Sequence, residues 1–464
     1  MMKKSIVGRA GLLCGLFGIM MMLAGSGYSQ EPVVGAVAGA VAEAASATPP
    51  AVINTGDTAW LLISTALVFL MIPGLAFFYG GLVRKKNVLS ILMQCFVVIC
   101  LITLQWVLFG YSLAFGPDVK GLIGNLDWAF LKGVGADPFT GYAATIPHSL
   151  FMIFQAMFAI ITPALILGAF AERMKFSAFC VFILLWATLV YDPVAHWVWG
   201  LGGILSRFDA AGNAVPGALD FAGGTVVHVN AGIAALVAAL VLGKRVGSMS
   251  PPHNLPFAAL GAGLLWFGWF GFNAGSALGA NGLAANAFIT THVAAAVAGL
   301  TWAICDWLWH KKATTLGMIT GAVAGLVAIT PACGFVSPVS AIWIGVGSSI
   351  ICFIAVTFIK AIFKYDDTLD AFGVHGVGGI WGAVATGIWA EKSVGGFDGL
   401  LHGNPGQFLM QIKAVLVTLV YSAVVSFILL KLVDKLMGLR VSEHEERVGL
   451  DLTQHKEAGY TTID

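Results

Sequence analysis

Long apolar runs separated by short polar connections are the strongest pattern in this chain. From Thr58 onward they recur at 58–83, 88–115, 147–171, 176–199, 219–242, 257–275, 284–309, 315–331, 338–362, 374–390 and 408–435. Each is close to the twenty or so residues that a helix needs to cross the hydrocarbon core of a bilayer. No water is available there to satisfy backbone amides and carbonyls, so an apolar run of that length crosses as a helix. The pattern predicts an all-α polytopic membrane protein with eleven transmembrane helices. An odd number of crossings puts the two ends of the mature chain on opposite faces.

The first thirty residues, MMKKSIVGRAGLLCGLFGIMMMLAGSGYSQ, have a basic start, a short apolar run and then small residues. That order predicts a signal peptide over 1–29, the alternative being an extra retained helix. Residues 30–56 are rich in Ala and end in Pro, the composition of a non-cytoplasmic linker. The eleven-helix unit then occupies 57–437, and 438–464 forms a charged tail.

Composition agrees with a lipid setting: 58% of the 464 residues are hydrophobic and 10% are charged, against about 25% charged in soluble domains. The net charge of +1 gives no excess that would favour nucleic acid or an acidic partner. Basic residues are distributed unevenly among the connections. Arg84, Lys85 and Lys86, then Arg173 and Lys175, Lys244 and Arg245, Lys311 and Lys312, and Lys360 and Lys364 fall in alternate connections. The intervening ones hold only Lys120, Lys132, Arg207, Lys392 and Lys413. By the positive-inside rule the mature N-terminus is outside and the C-terminus cytoplasmic. With the leader, this predicts residence in the inner (cytoplasmic) membrane of a bacterial cell. The seven cysteines show no metal-like spacing, and no metal site or cofactor is expected. Nor is there a nucleotide-binding loop, a nucleophile elbow or an HExxH pair, so no enzyme is predicted.

Glycines within the runs, such as Gly261, Gly263, Gly268, Gly271 and Gly275, predict close helix packing. His228 lies inside the fifth apolar run, and His228-x-x-x-Gly232-Ile233 is echoed by His375-x-x-x-Gly379-Ile380 in the tenth. Five is odd, so a second set of five helices runs with opposite orientation. The echo therefore predicts an inverted five-helix repeat, followed by a last long helix, with a site near the midplane.

Six stretches carry a resemblance to a known family: FYGGLVRKKNVLS at 78–90, GAFAERMKFSA at 168–178, VAHWVWG at 194–200, DFAGGTVVHVNAG at 220–232, GWFGFNAGSA at 268–277 and DAFGVHGVGG at 370–379. Together they resemble the ammonium transporters, the Amt/Mep proteins, over essentially everything after residue 57. The resemblance implies a homotrimer with a separate narrow pore in each subunit, ammonium or ammonia as substrate, and a PII signalling protein as partner at the cytoplasmic tail. It further implies ammonium recruitment at Trp199, Ser276 and Phe154, a gate of stacked rings at Phe158 and Phe272, and pore-lining imidazoles at His228 and His375 that conduct ammonia and relay a proton. Elementary chemistry is compatible with these roles. Ammonium is a small hydrated cation that an indole face and a hydroxyl oxygen can hold. Without the resemblance, Trp199 would read as an interface-belt tryptophan, Ser276 as a capping serine and the phenylalanines as packing.

Asp220 and Asp370 precede the fifth and tenth helices and are expected to be structural, Asp220 as a helix cap with a field favouring a cation. Asp192, near the outer end of the fourth run, is expected to affect the vestibule's attraction for cations. Two other readings compete with transport. One is a membrane redox protein with haem held between two histidines. The other is an ammonium sensor, although only about thirty residues follow the last helix, few for an output domain.

Overall fold

Polar side chains close most of the helix starts, and this makes the apolar runs usable as helices. The computed structural model describes residues 52–247 and 251–460, so the expected signal peptide and most of the linker lie outside the described residues. Asn54 accepts from the Gly56 and Asp57 amides at the start of α1 (Thr55–Leu82). Asn254 does the same for α6 (Leu255–Gly275), Asn281 for α7 (Gly282–His310) and Thr314 for α8 (Thr315–Ile329). Ser337 caps α9 (Pro338–Phe363) and Asn404 caps α11 (Pro405–Met437), each with proline in the first turn. Such caps satisfy amides that a helix cannot satisfy itself.

The remaining helices are α2 (Lys85–Phe115), α3 (His148–Phe170), α4 (Phe176–Trp199), α5 (Gly224–Leu242) and α10 (372–389). Among the described residues nine helices are long and apolar enough to cross a membrane, and α8 and α10 are the two shorter ones. The eleven expected segments are therefore all helical. The largest difference in a boundary is at α5, which starts at Gly224 instead of 219. The chain ahead of it bends, with Gly223 left-handed at φ 114°, and the Asp220 carboxylate takes the amides of the first turn.

Two crossings hold the centre together. Along α6, Gly261, Gly268, Gly271 and Gly275 form one small face against α1. A Cβ on Gly271 would lie 2.6 Å from Leu67 Cβ, and one on Gly275 would lie 2.7 Å from Ser64 Cβ. Gly263 is on the other side with nothing within 4 Å, so it takes no part in this packing. At the second crossing, α5 meets α10 through the two glycines of the histidine echo. A Cβ on Gly232 would collide with the backbone of Gly376 and the His375 carbonyl carbon. One on Gly379 would lie 2.9 Å from the Val229 amide and 3.0 Å from His228 Cβ. Each glycine thus receives the histidine-bearing turn of the opposite helix, the reciprocal contact that an inverted repeat produces.

On the face carrying Arg84 and Lys360, charged residues tie the connections together. Glu172 accepts from the Arg84 amide (2.7 Å) and from Asn87 (2.9 Å), and pairs with Arg84 and Arg245 at 3.0 and 3.1 Å. Arg245 holds Asp366 through its backbone amide, Nε and Nη2, all at 2.9–3.0 Å. Arg173 is buried and donates to the carbonyls of Ala169 and Asp366. The tail packs on the same face as two short helices, α12 (Glu443–Val448) and α13 (Leu450–His455). Asn87 Oδ1 accepts from the Leu450 amide, Asp451 accepts from the Ser90 amide, and Glu446 pairs with Arg440 while taking the Val246 amide.

Burial would raise the Asp366 carboxyl, but the Arg245 hydrogen bonds and charge outweigh it and hold the group down at about 2. A value lower in the fold than in the unfolded chain, about 3.9, stabilises fully above about pH 4 and is lost as pH falls through about 2. Replacing Asp366 with Asn is expected to lower the melting temperature in detergent by about 2–5 °C at neutral pH. The difference from wild type should stay constant between about pH 5 and 8 and narrow only below about pH 4.

Candidate functional site

A vestibule opens on the face opposite the tail, where α4 and α6 end and α5 begins. Its wall includes Phe158, Trp199, Ser276, Gln155 and Phe221. Trp199 donates its indole N–H to the Asp220 carbonyl at 2.8 Å, which fixes the ring, and the ring meets Phe158 edge-on at 5.9 Å. Ser276 Oγ donates to the Phe272 carbonyl at 2.8 Å. Its proton is thereby occupied, and its lone pairs remain to accept from a ligand. Phe154 does not reach this wall. It is fully buried and packs edge-on behind Phe158 at 5.0 Å, so within the expected recruitment group it supports a wall residue without being one.

Phe158 and Phe272 stand face to face at the floor of the vestibule, centroids 4.3 Å apart and planes inclined by 34°. Beyond them lies a narrow chamber lined by Met71, Leu75, Ile161, Val227, Leu265 and Trp269 together with Phe272, His228 and His375. The imidazoles lie near-parallel, 5.3 Å apart at 17°. His228 also stacks on Trp269 at 5.4 Å, and Trp269 is fixed by its N–H bond to Thr330 at 2.9 Å. Neither nitrogen of His228 has a hydrogen-bond partner, and neither has Nδ1 of His375. Both histidines sit on π-helical turns, 224–229 and 372–376. Such turns re-aim side chains and are frequent at functional sites. His375 also lines a third cavity, which opens toward the Lys360 face beside Phe78, Val323 and Asp370. Vestibule, ring pair, chamber and inner cavity therefore follow one another through the bundle.

The carboxylates are placed differently from one another. Asp220 is 5% exposed and accepts from the amides of Gly223, Gly224, Thr225 and Val226 at 2.5–3.0 Å, so both of its oxygens are spent on the start of α5. At the start of α10 the matching cap is Asp367, which takes the Ala371 and Phe372 amides at 3.1 and 2.8 Å. Asp370 pairs instead with Lys360 at 2.6 Å. Asp192 is fully buried and accepts from Gln105 at 2.6 Å. It is not among the wall residues of the vestibule, and its side chain meets Gln105 between α2 and α4. The haem reading does not fit the geometry either. Neighbouring imidazoles stacked 5.3 Å apart leave no space between them for a macrocycle.

Trp269, Gln155, Phe221 and Arg207 are wall residues that sequence reasoning missed. Trp269 and Phe221 carried a signal, since both stand inside the quoted stretches and Trp269, three residues before Phe272, shares its helix face.

The family model for the Ammonium Transporter Family matches residues 59–460. The chain belongs to that family. It is 53% identical over 408 residues to the "Ammonium transporter" of Bacillus subtilis, covering 87% of this chain and 98% of the relative. The crystal structure of Candida albicans Mep2 superposes with a TM-score of 0.78 at 36% identity, over 85% of this chain and 88% of that one. A solved "Sensor Amt Protein" gives 0.78 at 32%, over 86% and 98%.

Within this family member the Asp220 cap makes a separable prediction. Asn at 220 presents one acceptor oxygen and turns an NH2 group toward the amides it should satisfy. Two buried donors lose their partner, at about 1–3 kcal/mol each. D220N is expected to lower the melting temperature in detergent and D220A to lower it further, read from the fraction still eluting as folded protein after graded heating.

Proposed function

We propose that the protein carries ammonium across a membrane by recruiting it at Trp199 and Ser276, separating its proton, and conducting ammonia past Phe158 and Phe272 to the twin imidazoles. The observation that supports this reading best is the chamber itself: an apolar tube in which imidazole nitrogens are the unpartnered polar groups. A bare cation entering such a tube loses its hydration, at several kcal/mol or more even after relaxation. Giving up a proton to water at the ring pair, from which the imidazole pair relays it inward, removes most of that penalty and leaves a neutral molecule that still needs hydrogen-bond partners. Neutral imidazole offers one donor and one acceptor nitrogen, so the pair can both hold ammonia and pass a proton between rings. Hydrated Na+ and K+ have no proton to give up, and the ring pair excludes them. The names of the relatives and the family match support the substrate.

Orientation follows from the basic connections: the vestibule faces outside, the Lys360 face and the tail face the cytoplasm, and a cleaved leader exports the N-terminus. The working unit is a homotrimer in a bacterial inner membrane, with one path per subunit, and serves nitrogen uptake. A sensing role has one observation in its favour, the likeness to a solved sensor protein. Sustained ammonium current from reconstituted protein, scaling with protein density, separates carriage from binding alone.

Replacing His228 or His375 with alanine is expected to abolish ammonium current or to admit K+, while the protein still folds and assembles. Unchanged ammonium flux with unchanged K+ exclusion in both folded variants would leave the histidines as packing residues. The docked tail is the proposed contact for a PII signalling protein. Truncation after Gly438 is expected to remove co-purification of a PII protein and to change the transport rate, and persistence of both would refute that contact.

A further inference from the structure

A transporter that collects cations has a fixed positive charge in its collecting vestibule. Arg207 lies in the wall with Trp199, Ser276 and Phe158, and Asp220 is the only other charged residue among the described residues of that wall. The Asp220 oxygens are committed to four backbone amides. None of the ion pairs among the described residues includes Arg207, and its guanidinium carbon lies 5.4, 5.4 and 5.2 Å from the ring centres of Phe208, Phe335 and Phe397. These rings come from three separate connections, so the guanidinium is held from several sides. Phe208 belongs to a hairpin closed by its bridge to Ala214 and by Asp209, whose carboxylate accepts from the Ala211 and Asn213 amides. Aromatic faces hold a cation without neutralising it. Asp220 makes no ion pair with Arg207, and its charge, spread over four amide donors at the start of α5, offsets the Arg207 field only in part, so the remainder of that field extends into the vestibule where ammonium is collected.

We propose that Arg207 is a specificity-determining residue of the vestibule: its charge sets the concentration of ammonium needed to load the site and keeps divalent cations out. This rests on the ammonium reading above. Local concentration varies with the exponential of charge times potential, so a potential that lowers a monovalent cation about threefold lowers a divalent one about ninefold. Ammonium recovers the difference through indole and hydroxyl contacts at Trp199 and Ser276. A divalent ion, which sheds water far less readily, does not. The alternative is that Arg207 only staples three connections together, and salt dependence tells the two apart.

The experiment uses full-length protein in proteoliposomes on a supported membrane, with currents recorded after ammonium jumps at about 10 mM and about 300 mM ionic strength. The variants are R207Q, which removes the charge, and R207K, which keeps it and can still sit over the rings. At low ionic strength R207Q is expected to reach half-saturation at about one-third the wild-type ammonium concentration and to become inhibited by Mg2+. At high ionic strength the two should coincide, and R207K should follow wild type throughout. A half-saturation in R207Q equal to wild type at low ionic strength would overturn the proposal. So would a shift that persists at high ionic strength, or R207K behaving as R207Q. Absence of current in the wild type would instead overturn the transport reading, and the same shifts would then be sought in equilibrium ammonium binding by calorimetry, with the same outcomes for and against Arg207.

Discussion

A small cation cannot take its water into an apolar tube, and most of this structure is arranged around that constraint. The vestibule offers a ring held by its own N–H bond and a hydroxyl whose proton is already engaged, so both present acceptor character to a cation. The chamber beyond the phenyl pair offers only apolar walls and imidazole. Between the two stand Phe158 and Phe272 with centroids 4.3 Å apart, and in the transport reading proposed above a cation's charge has to be dealt with at this pair. Like charges on rings 5.3 Å apart, far from water, would repel strongly.

The same constraint governs the backbone. Shortening α5 at its start exposes amides deep in the protein, and they would be costly without an acceptor. Asp220 supplies it, and Asp367 does so at α10. These caps place both histidine-bearing turns in matching positions, and Gly232 and Gly379 let them approach each other. On the opposite face the solution is ionic: Glu172, shared by Arg84 and Arg245, and Asp366, paired with Arg245, join the connections on which the tail rests.

Much of this was legible in the sequence. Eleven apolar runs became eleven helices, because in lipid the backbone has no other local solution. The histidine echo carried the symmetry, since a glycine four residues after each histidine is what a close crossing demands. Position within the quoted stretches named Phe272, Trp199 and Ser276, and the wider resemblance named Phe158; the structure places the four around the vestibule and its floor. Less legible were residues whose partners are distant along the chain. Gly263 looks like its neighbours but faces away from α1, a matter of helix rotation. Asp370 looks like the counterpart of Asp220, yet Lys360 claims it and Asp367 takes the cap. Asp192 stands about two turns before the wall residue Trp199 on α4 but accepts from Gln105.

The sequence by itself determined the class of protein, the number of crossings and the pairing of the fifth helix with the tenth. These follow from the length and periodicity of apolar runs, which act locally. Only the tertiary structure decided which polar side chains are spent on the fold and which are left for a ligand. It showed Phe154 behind the wall, Trp269 against His228 and Arg207 held among three rings. The reason is physical: whether a buried polar atom is satisfied depends on what other segments bring to it, and those segments lie tens to hundreds of residues away.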